Sequence, residues 1–163
     1  MNIAVYPGTF DPVTNGHIHI AERSCQLYDK VIIALAGENY KNDLFTLEER
    51  MIMLKESIKH LQNAEVESYV GLSADYAAIK GAKALIRGLR AVSDFEYEMQ
   101  MAAMNRHLND QLETVFLMAE GKYTFLSSTN IKQVALIGGS VHGLVPPIVE
   151  EYLKKKYQEL NYK

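Results

Sequence analysis

The sequence predicts an α/β fold: a Rossmann-like parallel sheet of five strands, helices on both faces, and a C-terminal helix. Three observations carry this. Five short apolar, largely β-branched runs recur along the chain, segments with helical spacing lie between them, and the runs are near-continuously apolar. Strands buried on both faces by crossover helices read this way. In order, the strand runs are Ile3 to Tyr6, Val31 to Ala36, Val66 to Val70, Ala84 to Ile86 and Val115 to Met118. Helical spacing occupies Gly16 to Leu27, Thr46 to Leu61, Ser73 to Lys80 and Phe95 to Leu108. After the fifth run, Asn130 to Ile137 reads as a short helix stopped by Gly138-Gly139, and Pro146-Pro147 opens a final charged helix reaching about Leu160.

Composition narrows the function classes. At 163 residues, 48% hydrophobic and 23% charged, the chain has the size and balance of one globular domain, residues 1–163, with no linker or repeat. A net charge of -3 argues against duplex nucleic acid as a partner, since that role needs a basic face to displace counterions. Cys25 is the single cysteine and reads as a small core residue. No run approaches the roughly 18 apolar residues of a membrane span, and the opening residues lack a secretory pattern, so a reducing, cytoplasmic setting is expected. The Met-rich face of Phe95 to Leu108 reads as core in preference to a subunit contact.

In open parallel sheets, ligands bind beyond the carboxyl ends of the strands, where strand order reverses. The strand-to-helix loops therefore hold the candidate chemistry. The first reads YPGTFDPVTNGH, from Tyr6 to His17. Gly8 permits close backbone approach, Thr9 offers a hydroxyl at the strand end, and Gly16 and His17 fall at a helix start, where unpaired amides and the helix dipole attract phosphate. The loop matches neither the dinucleotide fingerprint nor the Walker pattern. An isolated His at a helix start can equally be a cap. His19, about 200° from His17 around the helix, is expected to face solvent.

The second loop holds Lys41 and then Thr46-Leu47-Glu48-Glu49-Arg50, where Thr46 and Glu49 form a capping box that explains the string structurally. At the end of the fourth strand, Arg87-Gly88-Leu89-Arg90 offers two guanidinium groups for phosphate, with Gly88 letting backbone pass close to a ligand; both arginines could instead pair with Asp94 and Glu96. The last loop runs Tyr123-Thr124-Phe125-Leu126-Ser127-Ser128-Thr129, whose hydroxyls can cap a helix or grip phosphate.

Thr14 to His17 resembles the T-x-G-H signature of the nucleotidyltransferase superfamily. The longer strings YPGTFDPVTNGH and LIRGLRAVSDFEYEMQ are similar to the phosphopantetheine adenylyltransferase family within it. Four motifs occur in order over roughly residues 1 to 135, and the likeness fades through the terminal helix. The resemblance implies transfer of the adenylyl group of ATP to 4'-phosphopantetheine, giving dephospho-coenzyme A and pyrophosphate. It implies that Thr9, Lys41, Ser73 and Arg87 bind the acceptor, Ser73 from a looser match. It also implies that Thr9, Phe10, His17, Gly88, Leu89, Arg90, Glu98 and Tyr123 to Thr129 meet ATP. Glu98 would accept from a ribose hydroxyl or hold an arginine, and Leu126 and Thr129 depart mildly from the usual I-S-S-S or I-S-S-T.

In-line transfer to a phosphate needs no enzyme nucleophile, and a phosphate monoester is already largely a dianion at neutral pH, so positioning and charge stabilisation remain as the protein's work. His17, Thr9 and Lys41 are the expected catalytic residues. Mg²⁺ would come with the ATP phosphates, without a protein cage. The resemblance further implies a homohexamer inhibited by coenzyme A. Two other readings are an adenylyltransferase for another small phosphate acceptor, such as nicotinate mononucleotide, and a module that binds ATP without turnover.

Overall fold

The computed structural model describes residues 1–37 and 42–161. Five strands, β1 (Ile3–Gly8), β2 (Lys30–Ala36), β3 (Ala64–Tyr69), β4 (Ala84–Leu89) and β5 (Glu113–Met118), form one sheet in the order β3-β2-β1-β4-β5. Every pairing is parallel. The helices are α1 (Asn15–Leu27), α2 (Leu47–Ile58), α3 (Ser73–Ile79), α4 (Val92–Leu108), α5 (Ser128–Leu136) and α6 (Pro147–Asn161), with a short 3₁₀ turn at Gly121–Tyr123. All five expected strands and all six helices are present, with β4 running three residues further than expected, through Arg87, Gly88 and Leu89.

The strands alternate their apolar side chains between two cores, as a sheet covered on both faces must. Ala4, Tyr6, Ile33, Leu35 and Ile86 face one core with residues of α1, α2, α5 and α6, including Ile20, Met53, Ile131 and Leu153. Val5, Ile32, Ala34 and Leu85 face the other, closed by Ala74, Tyr76 and Ala77 of α3. Strand order reverses between β1 and β4, so the crevice between their carboxyl ends is the switch point at which ligands of such folds bind.

Two expectations are corrected. The Met-rich helix is not core: α4 has no buried residue, and Phe95, Met99, Met101 and Met104 are exposed. Its inner face turns instead toward polar groups of the switch-point crevice, with Phe95 edge-on to Phe116 of β5 as its aromatic anchor. Nor does His19 face bulk solvent. Its side chain is 22% exposed, stacked at a tilt against Tyr123 and 3.4 Å from the Glu120 carboxylate, because the chain after β5 folds back over that side of α1. Among the described residues, no helix is long and apolar enough to cross a membrane.

Candidate active site

A cavity of about 500 Å³ opens at the switch point. Its walls come from the end of β1 and the following loop, the start of α1, the end of β4, the first turns of α4, and the loop leading into α5. The starts of α1 and α5 both meet it. Each brings the positive end of a helix dipole, so two such ends converge on one space; in α1 the Asn15 and His17 amides are already taken by the Leu144 carbonyl and the Thr14 hydroxyl, which leaves that of Gly16.

The β1–α1 loop owes its shape to local sterics. Phe10 has φ 48°, a left-handed conformation that an aromatic residue adopts only when its surroundings impose it, at a cost of about 1–3 kcal/mol. Its ring is buried, edge-on to both Tyr6 and His17. The ring also explains Gly8, since a Cβ there would fall 2.9 Å from the Phe10 ring. Directly after Phe10, the Asp11 carboxylate accepts from the backbone amides of Leu44 and Phe45, both at 2.9 Å, and from Lys132 Nζ at 2.8 Å.

α1 begins with a capping box in which the third helical residue is His17 rather than the usual Glu or Gln. The Thr14 backbone amide donates to His17 Nδ1 at 3.0 Å, and the Thr14 hydroxyl lies 3.1 Å from the same nitrogen. An Nδ1 that accepts a backbone N–H cannot carry a proton, so the neutral ring holds its hydrogen on Nε2. Burial first, and then the positive charges of Arg90 and Arg87, lower the His17 pKa to about 4. At neutral pH the imidazole is thus an uncharged donor through Nε2, locked by the cap that starts its own helix.

The arginines at the end of β4 are both paired: Arg90 with Asp94, as the spacing suggested, but Arg87 with Glu98 and not with Glu96. Arg87 donates from Nε and Nη2 to the two oxygens of Glu98 at 2.8 and 2.6 Å, and from Nη1 to the Pro7 carbonyl at 3.1 Å. Burial opposes its charge, but the Glu98 pair outweighs burial and holds the guanidinium above its usual pKa. Of its five N–H groups, two stay available for a ligand. Arg90 bonds Asp94 at 3.1 Å and the Leu126 carbonyl at 2.8 Å, which ties α4 to the α5 loop. Gly88 admits close packing: a Cβ would meet Ile20 of α1 at 3.3 Å.

Ser127 caps α5 in a reciprocal box with Asn130, and Ser128 donates its hydroxyl to the Pro12 carbonyl at 2.8 Å. Both line the cavity, as do Thr9, Phe10, His17, Arg87, Gly88, Arg90, Glu98, Tyr123 and Leu126. Leu89, Thr124, Phe125 and Thr129 do not line it, and Thr124 spends its hydroxyl on the Gly121 carbonyl. Ser73 opens α3 beyond the end of β3, away from the cavity lining. Lys41 lies outside the described residues.

Sequence reasoning missed Ser93 and Tyr97 as cavity residues. Their i, i+4 spacing, beside Asp94 and Glu98 at the same spacing, was the available signal. It also missed Arg50, whose buried side chain reaches Thr9. The fold and this anion-seeking cavity define a nucleotidyltransferase, and residues 5–134 match the cytidylyltransferase-like family.

Nearly full-length relatives narrow the class. The chain is 52% identical over 157 residues to the phosphopantetheine adenylyltransferase of Moorella thermoacetica, covering 96% of this chain and 98% of that one. It is 50% identical over 159 residues to the enzyme of that name from Carboxydothermus hydrogenoformans, covering 98% of each. With that of Desulfosudis oleivorans it shares 53% identity over 156 residues, covering 96% of this chain and 93% of the relative. The chain belongs to the phosphopantetheine adenylyltransferase family. The likeness thus runs through α6 instead of fading near residue 135.

Among solved structures, a candidate nicotinate-nucleotide adenylyltransferase of Vibrio parahaemolyticus superposes with a TM-score of 0.74 at 18% identity, over 98% of this chain and 97% of that one. A bifunctional NMN adenylyltransferase/ADP-ribose pyrophosphatase of Francisella tularensis gives 0.69 at 18% identity, over 99% of this chain and 53% of that one. At such identity these agree on the fold alone.

Proposed function

We infer that this protein transfers the adenylyl group of ATP to the phosphate of 4'-phosphopantetheine, forming dephospho-coenzyme A and pyrophosphate. One observation carries the reaction class: two helix starts, two arginines and a donor-locked imidazole share the cavity at the β1/β4 switch point. The near-full-length likeness to enzymes of that name supports the acceptor.

In the transfer, an oxygen of the acceptor phosphate attacks the α-phosphorus of ATP, and the bond to the bridging oxygen of pyrophosphate breaks on the opposite side. The acceptor arrives as a dianion, so no group must remove a proton. His17 matches this, because its cavity-side nitrogen is a donor and not a base. It would hydrogen-bond oxygens of the α-phosphate as charge accumulates there. Arg90 and the Ser127–Ser128 turn would hold the departing phosphates, while Arg87 and Thr9 hold the acceptor. Ser128 can only accept while its hydrogen is given to Pro12, so its backbone amide is the more suitable phosphate donor.

Mg²⁺ is proposed as a companion of the ATP phosphates, where it neutralises charge and keeps most of its water. Asp94 and Glu98, which line the cavity, are each engaged by an arginine, which fits a metal carried by substrate rather than caged by protein. A cytoplasmic setting, a hexamer and inhibition by coenzyme A belong to the same proposal. The apolar outer surface of α4 supports assembly of subunits, because an exposed patch of this kind ordinarily meets a partner.

Purified protein incubated with ATP, Mg²⁺ and 4'-phosphopantetheine should release pyrophosphate and form dephospho-coenzyme A. Replacing the acceptor by nicotinate mononucleotide should abolish release. Turnover with the mononucleotide and none with 4'-phosphopantetheine would overturn the assigned acceptor.

A further inference from the structure

The β1–α1 loop carries a strained residue and yet is tied down on both sides of it. On one side, Arg50 of α2, only 1% exposed, donates from Nη1 to the Thr9 carbonyl at 2.8 Å and to the Ala36 carbonyl at the end of β2 at 3.4 Å. Its Nη2 lies 3.3 Å from the Asp43 carboxylate. On the other side, Asp11, 3% exposed, takes two backbone amides from Leu44 and Phe45 and the ammonium of Lys132 in α5. Phe10 sits between these anchors with its positive φ.

The two ties run in opposite directions. A cation from the second loop's helix grips a carbonyl of the first loop, and an anion of the first loop grips amides of the second. A buried charge is tolerated only when paired and hydrogen-bonded, so neither tie can be released without exposing its partner. Left-handed backbone at a bulky residue persists only where the surroundings over-determine it, and it concentrates at functional sites. Neither Arg50 nor Asp11 lines the cavity.

We propose that Arg50 and Asp11 are a matched pair of positioning residues that fix Thr9 and the ring of Phe10 against His17, and so set the distance and angle at which the acceptor phosphate meets ATP. The proposal rests on the reaction assigned above. The Phe10 ring meets the His17 ring edge-on at 5.1 Å, so a shift of the loop moves both the acceptor side and the imidazole. Arg50 supplies this through its fork, one arm to Thr9 and the other to Asp43. An ammonium at the same place could balance Asp43 but not span both.

The test compares wild type with Arg50→Lys and Asp11→Asn, using ATP and 4'-phosphopantetheine. Pyrophosphate release gives kcat and both KM values, and calorimetric ATP titration counts the folded, competent sites. Per competent site, kcat should fall by roughly 10²-fold in each variant, the scale of a misplacement near 1 Å. The ATP affinity of those sites should stay near that of wild type. Arg50→Lys keeps the charge beside Asp43, so wild-type kcat in that variant would overturn the proposal. So would a rate loss fully accounted for by fewer ATP-binding sites. An inactive wild type would overturn the assigned reaction itself, whereas an active wild type with unaffected variants overturns this role alone.

Discussion

Two walls of one cavity are built on opposite principles. The wall from the β1–α1 loop is finished by this chain: Phe10, Asp11 and Thr14 are buried, the Thr9 carbonyl is met by Arg50, the Asp11 carboxylate by Lys132 and two amides, and the Thr14 amide by the His17 ring. The wall from α4 buries none of its residues, and its ties to the site are the Arg87–Glu98 and Arg90–Asp94 pairs with Phe95 against Phe116. Geometry that must not drift is placed where packing and hydrogen bonds over-determine it. The helix that leans on ion pairs leaves an apolar back uncovered.

The largest expected effect lies in the first wall. His17→Ala should lower kcat by roughly 10²-fold or more with less change in KM, as for other preorganised donors. Steady-state kinetics check it, and near-normal turnover would remove the imidazole from the reaction. Because its pKa is already lowered to about 4, this ring should add no step to the kcat profile between pH 6 and 9.

The same shift has a stability consequence. Folding lowers the His17 pKa, so below about 6.5 the unfolded chain takes up a proton that the folded chain refuses. Stability should therefore decline as pH falls from about 6.5 toward 4, and be indifferent to this group above 6.5. Urea unfolding across that window, compared with His17→Gln, isolates the contribution: the variant should show a shallower decline. Equal slopes would mean that His17 is as accessible to protons in the folded state as in the unfolded chain.

Arg87 bridges the two walls, bonding Pro7 on one side and Glu98 on the other. Arg87→Ala should raise the acceptor KM about tenfold while leaving ATP affinity near its original value. An unchanged acceptor KM would show that the pair with Glu98 is all the arginine does.

How much of this could be read from the sequence follows the same division. The sheet was legible because its central strands β1 and β2, buried on both faces, are near-continuously apolar, and the first loop because its string is long and local. Arg50 was not legible: its capping-box string has a sufficient local explanation, and only the fold brings its guanidinium to Thr9, 41 residues away in sequence. The exposure of α4 was hidden because Met and Ala at helical spacing suit a core and a contact surface alike. His19 was misplaced because helix geometry describes α1 alone, whereas Glu120 and Tyr123 arrive from beyond β5.

The smallest expected effect on the folded subunit belongs to the second wall, and it makes the sharpest test of the contrast. Met104 is 54% exposed and has no role in the cavity, so Met104→Gln should change the stability of an isolated subunit by no more than about 0.5 kcal/mol. If α4 is a contact between copies of this chain, Met101→Gln with Met104→Gln should nevertheless lower the mass measured by light scattering. Apolar area at a subunit interface contributes roughly 25 cal/mol per Å² when it leaves water, and the double change removes it from each subunit at once. Unchanged mass together with unchanged stability would mean that the apolar surface of α4 is idle. In that case α4 is held within the subunit by its ion pairs with Arg87, Arg90 and Glu113 and by Phe95 against Phe116.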